Sequence, residues 1–407
     1  VTPGGSSGSA APERPPVPLI LAITVTGIMG NTLVAPASPD IVASFGRSAA
    51  AVGPLLAAAT APGIVLAPLI GVLADRWGRR AVLVPCLAIF GLAGGLGAFA
   101  PTFPLLLLCR LGQGVGSAGL VNLAVVIIGD NWEGTERARM IGRNAAALTA
   151  AIAVMPTVGG ALTSLAGWRA AFFPYWLALG TVVAVLRWLP AARPTPTSFR
   201  SQLQATLPQL RDPVVLGTLA TGFTVFALIF GLYLTVLPVH LDQTFGVGPA
   251  GRGVALGIPS AASTAIALNL GRLRGRFGGR TLVFAGLLTF AVSFGLLAGG
   301  RHLAFVGVAA LVYGVAEGLS VPTLQDVITG AAPAESRGAV VALFVSVSRA
   351  GQTAGPILAA GLMAASSPAA TFAAGVAVAL LLAAGHRLAR PGGPGQVLAP
   401  PIPNSLP

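Results

Sequence analysis

Three charged residues of this 407-residue chain lie inside long apolar stretches, where charge is hardest to keep: Arg110, Glu317 and Arg349. A charged side chain at the centre of a bilayer is destabilising by at least about 2.5 kcal/mol even on lenient insertion scales, so such residues face a protein interior and find polar partners. At a helical rise of 1.5 Å per residue, Arg110 lies about 9 Å from the nearer end of its stretch, with Gln113, Asn31 and Asn122 as candidate partners. Its role is either a hydrogen-bonding clamp or a part in coupling. Glu317 lies roughly 16 Å from the end of its stretch and Arg349 at a comparable depth in the next one, so the two are expected to form an ion pair near the midplane. A carboxyl group there can take or release a proton as its surroundings rearrange, or the pair can be static and fix helix packing. Glu317 is the first candidate for proton coupling, Asp326 the second and Asp40 the third.

The elements that hold these residues follow from composition. The chain is 55% hydrophobic and 9% charged, with mean hydropathy +0.84, against about 25% charged residues in a soluble domain. Lipid is the expected solvent. A spanning helix needs about 20 mostly apolar residues because it must pair its own backbone groups. Twelve such stretches occur, at 17–38, 51–74, 81–100, 104–129, 139–163, 170–189, 213–238, 252–271, 281–299, 303–329, 339–364 and 368–386. The segment before them, 1–16, lacks the basic run of a cleavable signal peptide and is expected to be disordered, so the first span is expected to stay in the mature protein.

The net charge of +13 is read as topology, not as nucleic-acid binding. All 24 basic residues are Arg, and with both termini in the cytoplasm 18 of them fall on the cytoplasmic side, leaving Arg47, Arg169, Arg252 and Arg301 outside. Cys86 and Cys109 lie within spans and suggest no disulfide, and histidines at 240, 302 and 386 make no metal-ligand cluster.

A polar, proline-containing segment at 190–212 divides the spans six and six and reads as a cytoplasmic linker between helical bundles 17–189 and 213–386, with a disordered tail at 387–407. A shift of 200 residues superposes the two halves: Gly71 to Arg80 falls on Gly271 to Arg280, and Met155-Pro156 falls on Gly355-Pro356. Parallel repeats of this kind place a substrate site between the halves near the midplane.

At Gly71-Val-Leu-Ala-Asp75-Arg76-Trp-Gly78-Arg79-Arg80 the chain resembles the major facilitator superfamily, within it the twelve-span drug:proton antiporters, matching every specified position of the loop between their second and third helices. The physics of this stretch is independent of the name: a glycine-bounded turn sets Asp75 among arginines at a helix end, where charge pairs can latch the halves. Asp75 and Arg79 are the expected gate residues, and Arg80 serves equally as a topology signal. Arg110 with Gln113-Gly114 resembles the family's fourth helix. In the fifth, Met155-Pro156-Thr-Val-Gly159-Gly160 keeps the proline and final glycines of the antiporter signature and lacks two other glycines, whereas Gly351 to Pro356 in the eleventh, with Gly355, is fuller. Small residues there permit close helix approach, and proline kinks the helix. Asn31, Asn122, Phe226, Phe230 and Tyr233 are candidate cavity residues; a core or lipid-facing stripe is the other reading of the aromatics.

The resemblance implies an all-α membrane protein of two six-helix bundles, a monomer in the cell (inner) membrane, driven by the proton gradient without a cofactor. It implies proton-coupled efflux of small hydrophobic or amphipathic compounds by alternating access. The alternative is a proton symporter or facilitator for a small metabolite. The sequence holds no Walker A motif and no nucleophile–base, metal or paired-carboxylate arrangement, so an enzyme is not expected. A sensor would call for a soluble signalling domain.

Overall fold

The computed structural model describes residues 14–190, 211–331 and 337–388. The disorder expected of 1–16 and 387–407 and the linker at 190–212 fall almost wholly outside the described residues. Among the described residues there is no strand. Each of the twelve expected spans falls on helix, and the helices are numbered here in chain order.

In the first half these are α1 (Val17–Ser44), the interrupted α2 (Val52–Ala57 and Gly63–Trp77), α3 (Arg79–Phe99), α4 (Phe103–Asn131), α5 (Gly134–Ala166) and α6 (Trp168–Trp188). In the second they are α7 (Pro213–Phe245), α8 and α9, then α10 (Leu303–Ala331), α11 (Arg337–Ala365) and α12 (Pro368–Leu388). Helices α8 (249–277) and α9 (279–299) form one stretch, Pro249–Gly299, which turns at Gly278. Large apolar side chains face outward, Leu165, Leu268 and Leu381 among them. Apolar atoms on both the inside and the outside of a helical bundle require hydrocarbon around it.

The repeat is visible in the backbone. Gly46 and Gly246 both have φ of 63°, and Gly78 (92°) matches Gly278 (72°). At Gly78 and Gly278 the left-handed backbone lets one helix end and the next begin without a loop, a conformation that a side chain would strain.

The halves meet most extensively through two helix pairs, α2 with α11 and α5 with α8, and α1 also touches α7 and α8. A Cβ added at Gly53 would lie 2.6 Å from the Pro356 carbonyl oxygen, and one at Gly253 would be pressed against the Pro156 carbonyl. The same 200-residue shift carries one contact onto the other. Gly160 abuts the backbone of Pro249, and Gly159 that of Leu33 within its own half. The glycines retained in the fifth helix are therefore those whose neighbours are backbone atoms.

Candidate functional site at the interface of the halves

A cavity of about 230 Å³ lies between the halves, lined from the first by α1, α2, α4 and α5 and from the second by α7, α10 and α11. Its apolar wall includes Phe226, Phe230 and Phe344; Asn31, Asn122, Gln325, Gln352 and Arg349 supply polar groups. The expected cavity residues Asn31, Asn122, Phe226 and Phe230 are all in place. Tyr233 is not: it is buried, stacks on Tyr313 with ring centroids 3.9 Å apart, and donates to the Ala255 carbonyl at 2.8 Å.

The cause is local. Ile229–Val236 of α7 is a π-helix, in which Thr235 Oγ1 donates to the carbonyl of Phe230 five residues back at 2.7 Å. The wider turn holds an extra residue, so the face begun by Phe226 and Phe230 continues at Leu234, which lines the cavity, and Tyr233 turns toward α10.

Arg110 is fully buried in the first half. It donates to Gln113 Oε1, Asn31 Oδ1, the Gly30 carbonyl (2.9 Å) and the Leu55 carbonyl (3.3 Å). Asn31 Nδ2 donates in turn to the Leu56 carbonyl at 3.2 Å. Gln113 and Asn31 are thus partners as expected, and Asn122 lines the cavity instead. The two carbonyls come free because α2 breaks: Thr60 N–H, which a continuous helix would give to Leu56, bonds back to Ala57, and the turn leaves the Leu55 carbonyl without its ladder partner as well. Across the break, Thr60 Oγ1 lies 2.9 Å from Thr353 Oγ1 of the other half.

The expected Glu317–Arg349 pair is not formed. Arg349 projects from α11 toward α2, its stem against Gly63, and donates to Gln352 Oε1 at 3.2 Å. Glu317 lies on α10, which packs chiefly on α9 and α8, and is within electrostatic reach of Tyr233 and Tyr313. Depth along a helix fixes neither its rotation nor its neighbour, and no ion pair joins these two side chains.

The other two acids are paired. Asp326 binds Arg274 and is half exposed. Asp40, at the end of α1, binds Arg252 Nη2 at 2.6 Å, an ion pair between the halves, with Asp242 Oδ1 3.9 Å from Arg252 Nη1. Arg252 is 1% exposed. Positive-inside counting set it outside the membrane, and burial between two halves was invisible to that count.

At the end of the bundle rich in arginine, here the basic end, Arg79 binds Asp75 and also Asp130 Oδ2 at 3.0 Å, and all three belong to the first half. Arg80 donates to the Leu189 carbonyl at 3.4 Å and Arg76 is exposed. Gly71 carries no close neighbour. Gly355 of α11 rests on the backbone of Ala227, so this glycine binds α11 to α7 within the second half, while Pro356 faces α2 of the first. The glycine contacts and the Asp40–Arg252 pair between the halves lie on the far side of the cavity and the Thr60–Thr353 contact beside it, while at the basic end residues 135–139 of α5 and 267–269 of α8 are exposed.

A sequence profile of the Major Facilitator Superfamily matches residues 20–266 and 219–401. The chloramphenicol resistance protein of Streptomyces lividans is 30% identical over 277 residues, 67% of this chain and 70% of that protein. The bacillibactin exporter of Bacillus subtilis (strain 168) is 27% identical over 365 residues, 85% of this chain and 88% of that one. Among solved structures, a bacterial homologue of the human lysosomal transporter Spinster, in an inward-facing and occupied conformation, superposes with a TM-score of 0.73 at 17% identity, over 91% of this chain and 95% of that one. The chain belongs to the major facilitator superfamily and is a multi-pass transmembrane transporter.

Proposed function

We propose that the protein exports small hydrophobic or amphipathic compounds from the cytoplasm in exchange for protons, as a monomer in the cell (inner) membrane that works by alternating access. The observation that carries this reading is the cavity: it is shared by the two halves, walled by phenylalanines, supplied with amide groups and closed at the far end by glycine-to-backbone contacts. Such a chamber suits a compound that is mostly apolar and carries a few hydrogen-bonding groups. With the basic end in the cytoplasm, as the arginine distribution favours, the present conformation faces inward. Relatives named for chloramphenicol resistance and bacillibactin export support the direction of transport.

Proton coupling is assigned to Glu317. It is the one acid in the middle of a span among the described residues, and it makes no ion pair there. It does not line the cavity. Its influence passes through α7, whose π segment shows Phe230 to the cavity and Tyr233 to the Tyr313 ring one turn from Glu317. Gain or loss of the carboxyl charge changes what that buried aromatic pair can pack against, and the same backbone carries the cavity wall. The proton gradient is the sole energy source in this scheme, and no cofactor takes part.

The test is reconstitution into liposomes holding a pH-sensitive dye, with a proton gradient imposed and neutral, anionic and cationic amphiphiles added in turn. Counterflow of protons and substrate is expected, and Glu317→Gln is expected to abolish gradient-driven transport while substrate exchange persists. Wild-type pH dependence in that variant moves the coupling site elsewhere. Co-directional flux, or equilibration of substrate without protons, supports the symporter or facilitator reading instead.

A further inference from the structure

The two membrane arginines that lack a carboxylate partner differ in one decisive respect. Arg110 is closed off: two side-chain oxygens and two carbonyls accept its protons, and it is fully buried. Arg349 lines the cavity, and its one hydrogen bond among the described residues goes to the neutral amide oxygen of Gln352. A guanidinium carries five N–H donors in a planar fork that matches a carboxylate. Most of that capacity is left over.

Among the described residues no carboxylate is placed to meet it. Among the described acids, Asp40 is held by Arg252, Asp75 and Asp130 by Arg79, Glu136 by Arg14 and Asp326 by Arg274. Asp212 caps the first turn of α7, Asp242 lies beside Arg252, and Glu133 is exposed at the start of α5. No acid lines the cavity, Glu317 included. The cavity therefore carries a single formal charge, positive, between an aromatic wall and a set of amides. A cation entering it meets a like charge in a low-dielectric chamber, whereas an anion supplies the acceptor that the protein does not.

We propose that this cavity selects amphipathic compounds bearing one anionic group, with Arg349 gripping that group and the phenylalanines of α7 and α11 holding the apolar body. The proposal rests on the reading of the cavity as the transported compound's site and narrows it to a chemical class. Gln352 keeps the guanidinium aimed along the cavity wall by accepting from Nη1. Arg349 is a specificity residue in this scheme, and Asn122 is left to bond uncharged parts of the ligand.

The experiment is equilibrium binding to the purified full-length chain in detergent, with three compounds on one skeleton: 2-naphthoate, 2-naphthamide and 2-naphthylmethylammonium. A charge-assisted hydrogen-bonded pair predicts about a ten- to hundred-fold preference for the carboxylate over the amide, with the ammonium weakest. Arg349→Gln is expected to erase the preference while keeping amide binding, and Arg349→Glu to favour the ammonium. A second variant, Gln352→Glu, leaves Arg349 in place but gives it a carboxylate, and is expected to weaken naphthoate binding by a similar factor. Equal binding of the three by the native chain, a preference for the ammonium, or a carboxylate preference that survives either Arg349→Gln or Gln352→Glu overturns the proposal. Because binding is measured without a gradient, selectivity that persists where no compound is transported in liposomes defeats the transport reading alone. Transport of neutral and cationic compounds independent of Arg349 defeats the anion assignment alone.

Discussion

Gly53→Ala tests whether the glycine contacts set the conformational equilibrium. A Cβ at Gly53 would lie 2.6 Å from the Pro356 carbonyl oxygen and 2.7 Å from the Ala360 Cβ, both on α11 of the other half. Ordinary contacts need about 3.5 Å, so α2 and α11 must part by roughly 0.8–0.9 Å at this point. Overpacking of this kind is destabilising by about 1–3 kcal/mol, and here it falls only on the conformation in which the far end is closed. The helix-propensity gain of Ala over Gly, about 1 kcal/mol, applies equally whether that end is open or shut, so folding and insertion are preserved. The ratio of far-end-closed to far-end-open molecules is then expected to fall by about 5- to 150-fold. Spin labels at Arg47→Cys and Gln243→Cys, exposed at the far end on opposite halves, report it by pulsed distance measurement in a background with Cys86 and Cys109 replaced by Ala. The labelled pair should shift to longer distances as the alanine is introduced. An unchanged distance distribution together with unchanged transport would show that the α2–α11 contact does not govern opening.

Three other substitutions probe the charges. Asp75→Asn removes one of the two carboxylates that hold Arg79 and is expected to slow transport about tenfold with normal membrane insertion; unaltered turnover in liposomes takes Asp75 out of the gate. Arg110→Leu leaves Asn31 Oδ1, Gln113 Oε1 and the Leu55 carbonyl without their donor, each loss worth about 1–3 kcal/mol, while the Gly30 carbonyl keeps the Tyr175 hydroxyl at 2.7 Å, so the melting temperature of the detergent-solubilised protein should fall; an unchanged melting curve means that water replaces the guanidinium. Arg252→Gln and Asp40→Asn should each favour the far-end-open form, and the double variant should be no worse than Arg252→Gln alone, as shared membership of one ion pair requires; additive effects would separate the two residues.

The sequence made some of this legible and concealed the rest for physical reasons. Spans are legible because hydropathy averages over about 20 residues, and the Gly78 turn because only one residue type is at ease there. Asn31 and Gln113 were candidate partners of Arg110 because a buried guanidinium must be satisfied. The Leu55 and Leu56 carbonyls were not, since they are freed only once α2 breaks ahead of Pro62. Helical spacing of 226, 230 and 233 fails because the π segment in α7 widens the turn, and nothing in the apolar run Ile229–Val236 announces it. Glu317 and Arg349 were matched by depth alone, which leaves rotation about the helix axis undetermined.

The repeat explains why closure and chemistry are distributed so differently in this molecule. Elements that close the far end occur twice at the same spacing: Gly53 against Pro356 and Gly253 against Pro156, with turns at Gly46 and Gly246. A duplicated half brings its packing surfaces with it, because close approach depends on the absence of a side chain and on backbone shape. The charges inside the membrane-spanning stretches have no such counterparts. Two hundred residues from Arg110 is Ala310, from Glu317 is Ser117, and from Arg349 is Thr149. Ser117 bonds to Gly114 and Thr149 to Ala145, each within its own helix. Two halves that share their contacts can rock against each other about a common site, whereas a buried charge present in only one of them gives that motion something to respond to. Arg110, held on all sides, stiffens the first half. Glu317 and Arg349, both short of partners in the second half, are where a proton and a ligand can alter the balance.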